Sequence, residues 1–121
     1  MNKLAVKRVY DAYEETDGYR ILVDRLWPRG IKKENAHLDA WNKDIAPSHE
    51  LRKWYGHDPE KYAAFAGKYT EELNENEEAS AFAQQVQQLL KEGNVTLLYS
   101  AKTKENNAAV LAQWLMEKKE K

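Results

Sequence analysis

Four stretches of the chain have the apolar and polar patterns of β-strands. Residues 4–10 form the first, and residues 19–27 and 95–99 form two more whose centres are continuously apolar. Such uninterrupted apolar runs are typical of strands covered on both faces, as in parallel sheets. The fourth stretch, residues 38–45, alternates apolar and polar positions and is a weaker strand candidate.

Between these strands, apolar residues recur at spacings of three and four, which predicts four helices. Ser48 is a predicted N-cap and Gly56 a predicted C-terminal stop for the first helix. Asp58 and Pro59 are expected to begin the second, and Gly93 to end the third. The predicted inner positions are Leu51, Trp54 and Tyr55, then Tyr62, Phe65, Ala66, Tyr69 and Leu73, then Phe82, Val86, Leu89 and Leu90, and finally Val110, Leu111, Trp114 and Leu115. Trp41, Trp54 and Trp114 are all expected in the core.

This order of elements indicates an α/β fold: a small single domain spanning residues 1–121, with a largely parallel sheet of about three to four strands covered by helices. A chain of 121 residues is long enough to bury a core without disulfides or a structural metal. Cysteine is absent, which excludes disulfides, thiolate zinc sites and cysteine nucleophiles. No apolar run approaches the length of a transmembrane helix, and the N-terminus reaches charge too soon for a signal peptide. A cytoplasmic protein is therefore expected.

The net charge of −1 conceals an asymmetry between the two halves of the chain. Residues 1–57 contain 11 basic and 9 acidic residues, whereas residues 58–121 contain 8 and 11. All five arginines, which are Arg8, Arg20, Arg25, Arg29 and Arg52, belong to the first half. Because the planar guanidinium suits oxyanions better than an ammonium does, an anion site is expected there. Arginines also hold loops and cover apolar surface, so this alternative stays open. The five glutamates between positions 71 and 78 are interpreted as a solvated helix end and linker.

Polar segments follow the predicted strands, and in parallel sheets ligands bind beyond the carboxyl ends of strands. The segment after the second strand contains Arg25 and Arg29, and Trp27–Gly30 fits a type I turn that would hold Arg29 at its tip. Two fixed guanidinium groups can clamp a phosphate or a carboxylate. The alternative is that Asp24 and Arg25 pair with other elements while Trp27 fills the core.

The segment Ser100–Thr103 follows the last strand and precedes a helix, whose N-terminal amides attract anions. Thr103 is alternatively a simple helix cap. His57 is a candidate acid or base, or a histidine that only favours a helix C-terminus. Asp24 and Asp44 are candidate ligands of a shared divalent cation, although ion pairing explains them equally well.

The resulting candidates are grouped by role. Candidate catalytic residues are Asp24, Asp44, His57 and Ser100; candidate binding residues are Arg25, Trp27, Arg29, Ser48, Arg52 and Lys102. The three histidines lack a zinc-binding spacing, no metal site is predicted, and no cofactor is identified. The leading hypothesis is an anion site for a nucleotide or another phosphorylated small molecule, in a protein that is either an enzyme or a binding protein. A nucleic-acid-associated or regulatory module and a non-catalytic interaction domain are the alternatives.

Several motifs resemble those of the YeaO-like bacterial proteins, an uncharacterised family also described as domain of unknown function 488. They are Asp24–Gly30, Leu38–Trp41, Lys43–Ser48, Leu51–Trp54, Gly56–Pro59, Val95–Lys102 and Asn106–Asn107. The resemblance implies a compact α/β domain and no established reaction. The resemblance also implies that longer relatives in the wider group carry a cysteine and a His-Arg pair near the end of the last strand. Here that end is Tyr99–Lys102, so thiolate chemistry is not expected.

Overall fold

The sheet contains four parallel strands in the computed structural model, which describes residues 2–103 and 105–119. The strands are β1 (Leu4–Arg8), β2 (Tyr19–Leu22), β3 (Ala40–Trp41) and β4 (Val95–Tyr99). Their order is β1-β4-β2-β3, so the last strand in the chain lies between the first two. The predicted α/β fold with a largely parallel sheet is therefore confirmed.

Four helices pack on one face of this sheet. They are α1 (His49–Tyr55), α2 (Tyr62–Glu75), α3 (Glu77–Glu92) and α4 (Asn107–Lys119), with short 3-10 turns at Glu15–Asp17, Lys33–Asn35 and Pro59–Lys61. Ser48 caps α1 by accepting a hydrogen bond from the backbone N–H of Leu51, as predicted. Within residues 2–103 and 105–119, no helix combines the length and apolar character that crossing a bilayer requires.

The main core lies between these helices and the sheet face formed by Ile21, Val23, Val95 and Leu97. The predicted stripes of α2 and α3 and the Trp114 side chain of α4 belong to it. The opposite face is covered by the segment after β2 rather than by a helix. Trp27, Ile31 and Leu38 of that segment pack against Val9, Leu22 and Leu98. Both faces of β2 and β4 are thus covered, which explains their continuous apolar sequences.

Several local predictions were wrong. Strand β2 ends at Leu22 instead of residue 27, because the chain leaves the sheet to cover its second face. The turn forms one residue later than expected, with the Ile31 N–H bonded to the Pro28 carbonyl and Gly30 at a φ of 82°. That positive φ at the third position is typical of a type II turn. Asn106, rather than Thr103, caps α4 by accepting from the Ala109 N–H.

Two of the three tryptophans assigned to the core are exposed. Trp41 and Trp54 are 39% and 40% accessible, and lysine ammonium groups lie over both rings. Trp54 follows the buried Leu51 by three positions and precedes the buried Tyr55 by one, so it lies at the margin of the apolar face of a two-turn helix. Short helices have narrow buried faces, and periodicity places such marginal positions poorly.

A buried ionic cluster links β1 to the start of β2 on the sheet face covered by the loop. The Asp17 carboxylate accepts hydrogen bonds from Lys7 at 3.1 Å and from Arg20, and the Arg20 guanidinium also donates to the carbonyls of Ala36 and His37. Burial by itself raises the pKa of Asp17, but hydrogen bonds from the Glu14 N–H, Lys7 and Arg20 outweigh it and lower that pKa below its usual value.

Gly18 is required where the chain enters β2. Its φ is 69°, and a Cβ atom at this position would lie 2.0 Å from the carbonyl oxygen of Asn94. We therefore expect Gly18→Ala to lower the free energy of unfolding by more than about 2 kcal/mol, because strain and a backbone clash combine. Urea unfolding measures this change. Gly67→Ala is the control, since Gly67 lies within α2 with open space around it and alanine favours helices there. Equal effects of the two substitutions would contradict the prediction.

The lowered pKa of Asp17 predicts an acid-sensitive contribution to stability. The unfolded carboxyl binds a proton more readily than the folded one, so this contribution is complete above the ordinary aspartate pKa of about 3.9 and is lost as the pH falls through the folded value. We expect Asp17→Asn to be less stable than wild type at pH 7 and to lose less stability between pH 5 and pH 3. Urea unfolding across that range tests this. Asp11→Asn, at an exposed position, should retain the wild-type pH dependence.

Candidate functional site

The segments that follow the C-terminal ends of β2 and β4 meet at one edge of the sheet, where the Asp24 carboxylate joins them. Its Oδ2 atom accepts hydrogen bonds from the backbone N–H of Ser100 at 2.9 Å and from the Ser100 hydroxyl at 2.8 Å. Its Oδ1 atom accepts from the Asn107 amide, in the first turn of α4, at 3.2 Å. The parallel sheet therefore brings these strand ends together as predicted, and one carboxylate joins them to a helix.

A cleft of about 1010 Å³ opens at this edge of the sheet. Its walls come from the segment after β2, from α1 and from the chain between β4 and α4. Residues lining it include Arg8, Tyr10, Asp24, Arg25, Trp27, Arg29, His49, Arg52, Lys53, Tyr55, His57, Phe65, Ser100, Lys102, Glu105 and Asn107. A cavity of this size holds a small molecule with several polar groups.

Positive charge dominates the lining of the cleft. Among the residues that the structure describes, six lysine and arginine side chains line it together with two carboxylates, those of Asp24 and Glu105. The ion pairs found among the described residues all involve Lys7 or Arg20, which lie outside the cleft. The six cations are Arg8, Arg25, Arg29, Arg52, Lys53 and Lys102, and in residues 2–103 and 105–119 none has a carboxylate partner.

The Arg25 side chain is fixed by hydrogen bonds, but one of its donors has no partner in the described part of the chain. Its Nη2 atom donates to the carbonyl oxygens of Ala46 at 3.2 Å and Pro47 at 3.4 Å, just before α1. Its Nε–H is buried and has no hydrogen-bond partner within the described part of the chain. A buried donor on a charged group costs free energy when it stays unpaired. Arg25 therefore links two walls of the cleft and retains capacity for an acceptor.

The inner part of the cleft is aromatic. The Tyr55 and Phe65 rings stack with their centroids 4.4 Å apart, and the His57 ring lies 6.1 Å from that of Tyr55. Burial raises the pKa of the Tyr55 phenol, and the carboxylates of Glu105 and Asp58 raise it further. The phenol thus stays protonated near neutral pH and is available as a hydrogen-bond donor or an apolar wall.

The structure places eight of the ten candidate residues along the cleft and two elsewhere. The eight are Asp24, Arg25, Trp27, Arg29, Arg52, His57, Ser100 and Lys102. Ser48 instead turns away, and its hydroxyl donates to the Glu72 carboxylate at 2.6 Å. Glu72 is consequently an anchor of the α1 cap, which corrects the view of residues 71–78 as only a solvated linker.

Asp44 also lies away from the cleft, so the two aspartates do not line a common site. Its side chain is exposed, and its carbonyl accepts from Asn76 ahead of α3. The described residues contain no cluster of three or more histidine, aspartate or glutamate side chains arranged for a metal ion. A cation shared by Asp24 and Asp44 is therefore not supported.

Trp27 forms part of the wall rather than a free recognition surface. Its ring is half-buried in the second core, its Nε1–H donates to the Ile31 carbonyl at 2.7 Å, and it meets Trp41 edge to face. This packing role is the alternative that the sequence leaves open for Trp27, and the contacts of the ring support it.

The lining residues that were not among the candidates include Arg8, Tyr10, His49 and Lys53. Arg8 ends β1, and Tyr10 lies two residues beyond it. The rule that ligands bind beyond the ends of parallel strands could have found both, had it been applied to the first strand. His49 and Lys53 carry no comparable signal, because their position depends on how α1 packs against the sheet.

Comparisons with known proteins place the chain among uncharacterised relatives. The profile of the family described as "Inactive DUF488-N3 subclade" matches residues 3–121. "Uncharacterized protein YeaO" of Escherichia coli K12 is 52% identical over 110 residues, which cover 90% of this chain and 93% of that protein. The uncharacterized proteins Rv3073c of Mycobacterium tuberculosis H37Rv and Mb3100c of Mycobacterium bovis are each 42% identical over 114 residues, or 93% of both chains. No solved structure matches the chain.

The three hydrogen bonds to Asp24 predict that this carboxylate supports the site as well as the fold. We expect Asp24→Ala to lower the free energy of unfolding by about 2–4 kcal/mol, because it leaves the Ser100 N–H and the Ser100 hydroxyl without their acceptor. Asp44→Ala removes an exposed carboxylate and should change stability by less than about 0.5 kcal/mol. Chemical denaturation of both variants provides the comparison. If Asp24→Ala is as stable as Asp44→Ala, the junction is not a structural support.

Proposed function

The chain belongs to the family described as "Inactive DUF488-N3 subclade", and we propose that its cleft binds a phosphate-bearing small molecule without converting it. The observation that carries this proposal is the set of six cationic side chains facing two carboxylates, with no ion pair among them in the described chain. In a protein with a net charge of −1, such a local concentration of unpaired positive charge attracts an anionic ligand to the cleft.

The two cations that do make contacts support the same proposal. Arg8 and Arg25 donate only to backbone carbonyls, which orient the guanidinium groups without neutralising their charge. Fixed guanidinium groups lose little conformational entropy when an oxyanion binds, so each charge-assisted bond is comparatively strong. The unpaired Nε–H of Arg25 offers one such bond.

Binding rather than turnover is favoured by the surroundings of the candidate catalytic groups. The Ser100 hydroxyl donates to Asp24, which also accepts from two other donors and so acts as a structural acceptor. No described histidine forms a hydrogen bond with Ser100 that would activate it as a nucleophile. The description of the family as inactive agrees with this assignment.

A nucleic-acid surface is less well supported than a small-molecule site. The exposed tryptophans, Trp41 and Trp54, do not line the cleft, and their rings are already covered by lysines of this chain. A platform for single strands requires several accessible aromatic rings along a basic groove. The basic groups instead converge on one cleft of about 1010 Å³.

Calorimetric titration with pyrophosphate, ribose 5-phosphate and adenosine monophosphate tests the proposal. We expect at least one of these compounds to bind, and Arg52→Gln and Arg29→Gln each to weaken it by about tenfold, the loss of one charge-assisted hydrogen bond of about 1.5 kcal/mol. Neither side chain has a hydrogen-bond or ion-pair partner in the described structure, so both variants should fold normally.

Lys91→Gln is the matched control, because it removes an exposed positive charge on α3 outside the cleft. It should leave affinity within about twofold of wild type. A loss equal to that of the cleft variants would indicate general charge attraction instead of a site. Absence of binding by all three compounds would refute the proposal. Affinity for an oligonucleotide exceeding that for every small phosphate would favour a nucleic-acid ligand.

A further inference from the structure

We infer that the ligand of the cleft is a nucleoside phosphate and that Tyr10 is the surface on which its base stacks. This inference rests on the proposed function and adds the class of molecule. Four aromatic side chains other than histidine line the cleft: Tyr10, Trp27, Tyr55 and Phe65. Tyr55 and Phe65 are buried and stacked on each other, and Trp27 is packed in the second core. Tyr10 differs from them, because its side chain remains 42% exposed.

The Tyr10 ring is held rigidly although it is exposed. Its hydroxyl donates to the Arg29 carbonyl at 2.8 Å, which ties the ring to the turn after β2. The Arg8 guanidinium lies over the ring, 4.6 Å from its centroid. That guanidinium donates in turn to the carbonyls of Ala101 at 2.9 Å and Ser100 at 3.3 Å. An exposed aromatic ring that is fixed at both its edge and one face loses little freedom when a ligand stacks on it.

The chemistry of this pair favours a nucleobase over another apolar group. Because a cation already lies over one face of the Tyr10 ring, a planar, polarisable ring can stack on its other face. Stacking of a base on an aromatic side chain tolerates different bases, since each has a π-face. The Tyr10 hydroxyl also donates a hydrogen bond to the backbone carbonyl of Arg29, whose side chain is one of the unpaired cations in the described lining of the cleft. A base on Tyr10 and a phosphate near Arg29 are thus compatible within one ligand.

Comparing ribose 5-phosphate with adenosine monophosphate in calorimetric titrations isolates the contribution of the base. Wild type should bind the nucleotide about tenfold or more tightly, a difference of 1.4 kcal/mol or more. Tyr10→Ala should abolish this preference, and its affinity for ribose 5-phosphate should match that of Tyr10→Phe, because both variants lose the hydrogen bond to the Arg29 carbonyl. Tyr10→Phe keeps the ring and should retain most of the preference, which separates stacking from the hydrogen bond to Arg29.

Tyr13→Ala is the matched control for the loss of an exposed tyrosine. Tyr13 is 47% exposed and also lies under an arginine, Arg20, but it does not line the cleft. Its removal should leave the preference for the nucleotide intact. Equal binding of both compounds to wild type, or a preference that persists in Tyr10→Ala, would overturn the inference and leave the phosphate site standing. Binding of neither compound, together with no binding of pyrophosphate, would overturn both.

Discussion

The position of β4 between β1 and β2 is the constraint on which the rest of the structure depends. The sheet is complete only with a strand from the last quarter of the chain between two strands from its first quarter. The Asp24 carboxylate joins the ends of β2 and β4, because it accepts hydrogen bonds from the N–H and the hydroxyl of Ser100, 76 residues away. The cleft forms at the same place, since its walls are the segments that leave these strands. The same strand order therefore forms both the sheet and the site.

Two groups of basic residues in the first half of the chain illustrate opposite uses of charge. Lys7 and Arg20 meet Asp17 beneath the loop that covers the sheet, and all three side chains are largely shielded from water. Their charges are satisfied internally, so this cluster belongs to the fold. The arginines beyond the strand ends have no such partners in the described chain. A buried charge must be paired, whereas a charge at the mouth of a cleft can stay hydrated until a ligand arrives. Location relative to the sheet edge thus separates structural from available arginines.

The apolar residues of the second sheet face connect the fold to the site in another way. Trp27, Ile31 and Leu38 leave the sheet with the chain after β2 and fold back over Leu22 and Leu98. This return covers the face that helices leave open, and it positions the turn with Arg29 beside the cleft. The Tyr10 hydroxyl then fixes the Arg29 carbonyl. The loop after β2 is thus held by side-chain contacts, through apolar packing against the sheet and through the hydrogen bond from Tyr10.

Local sequence determined much of this protein by itself. Caps such as Ser48 and Gly56, the apolar periods of α2 and α3 and the uninterrupted apolar strands depend on interactions within a few residues, so they are visible in the chain. The clustering of arginines before residue 57 and the convergence of parallel strand ends were also sufficient to select eight residues that line the cleft. Only the tertiary structure decided which partner each polar group takes. Ser48 bonds to Glu72, 24 positions away, and Tyr10 bonds to Arg29, 19 positions away. Such contacts depend on the strand order and on the path of the loop over the sheet, which no local pattern encodes.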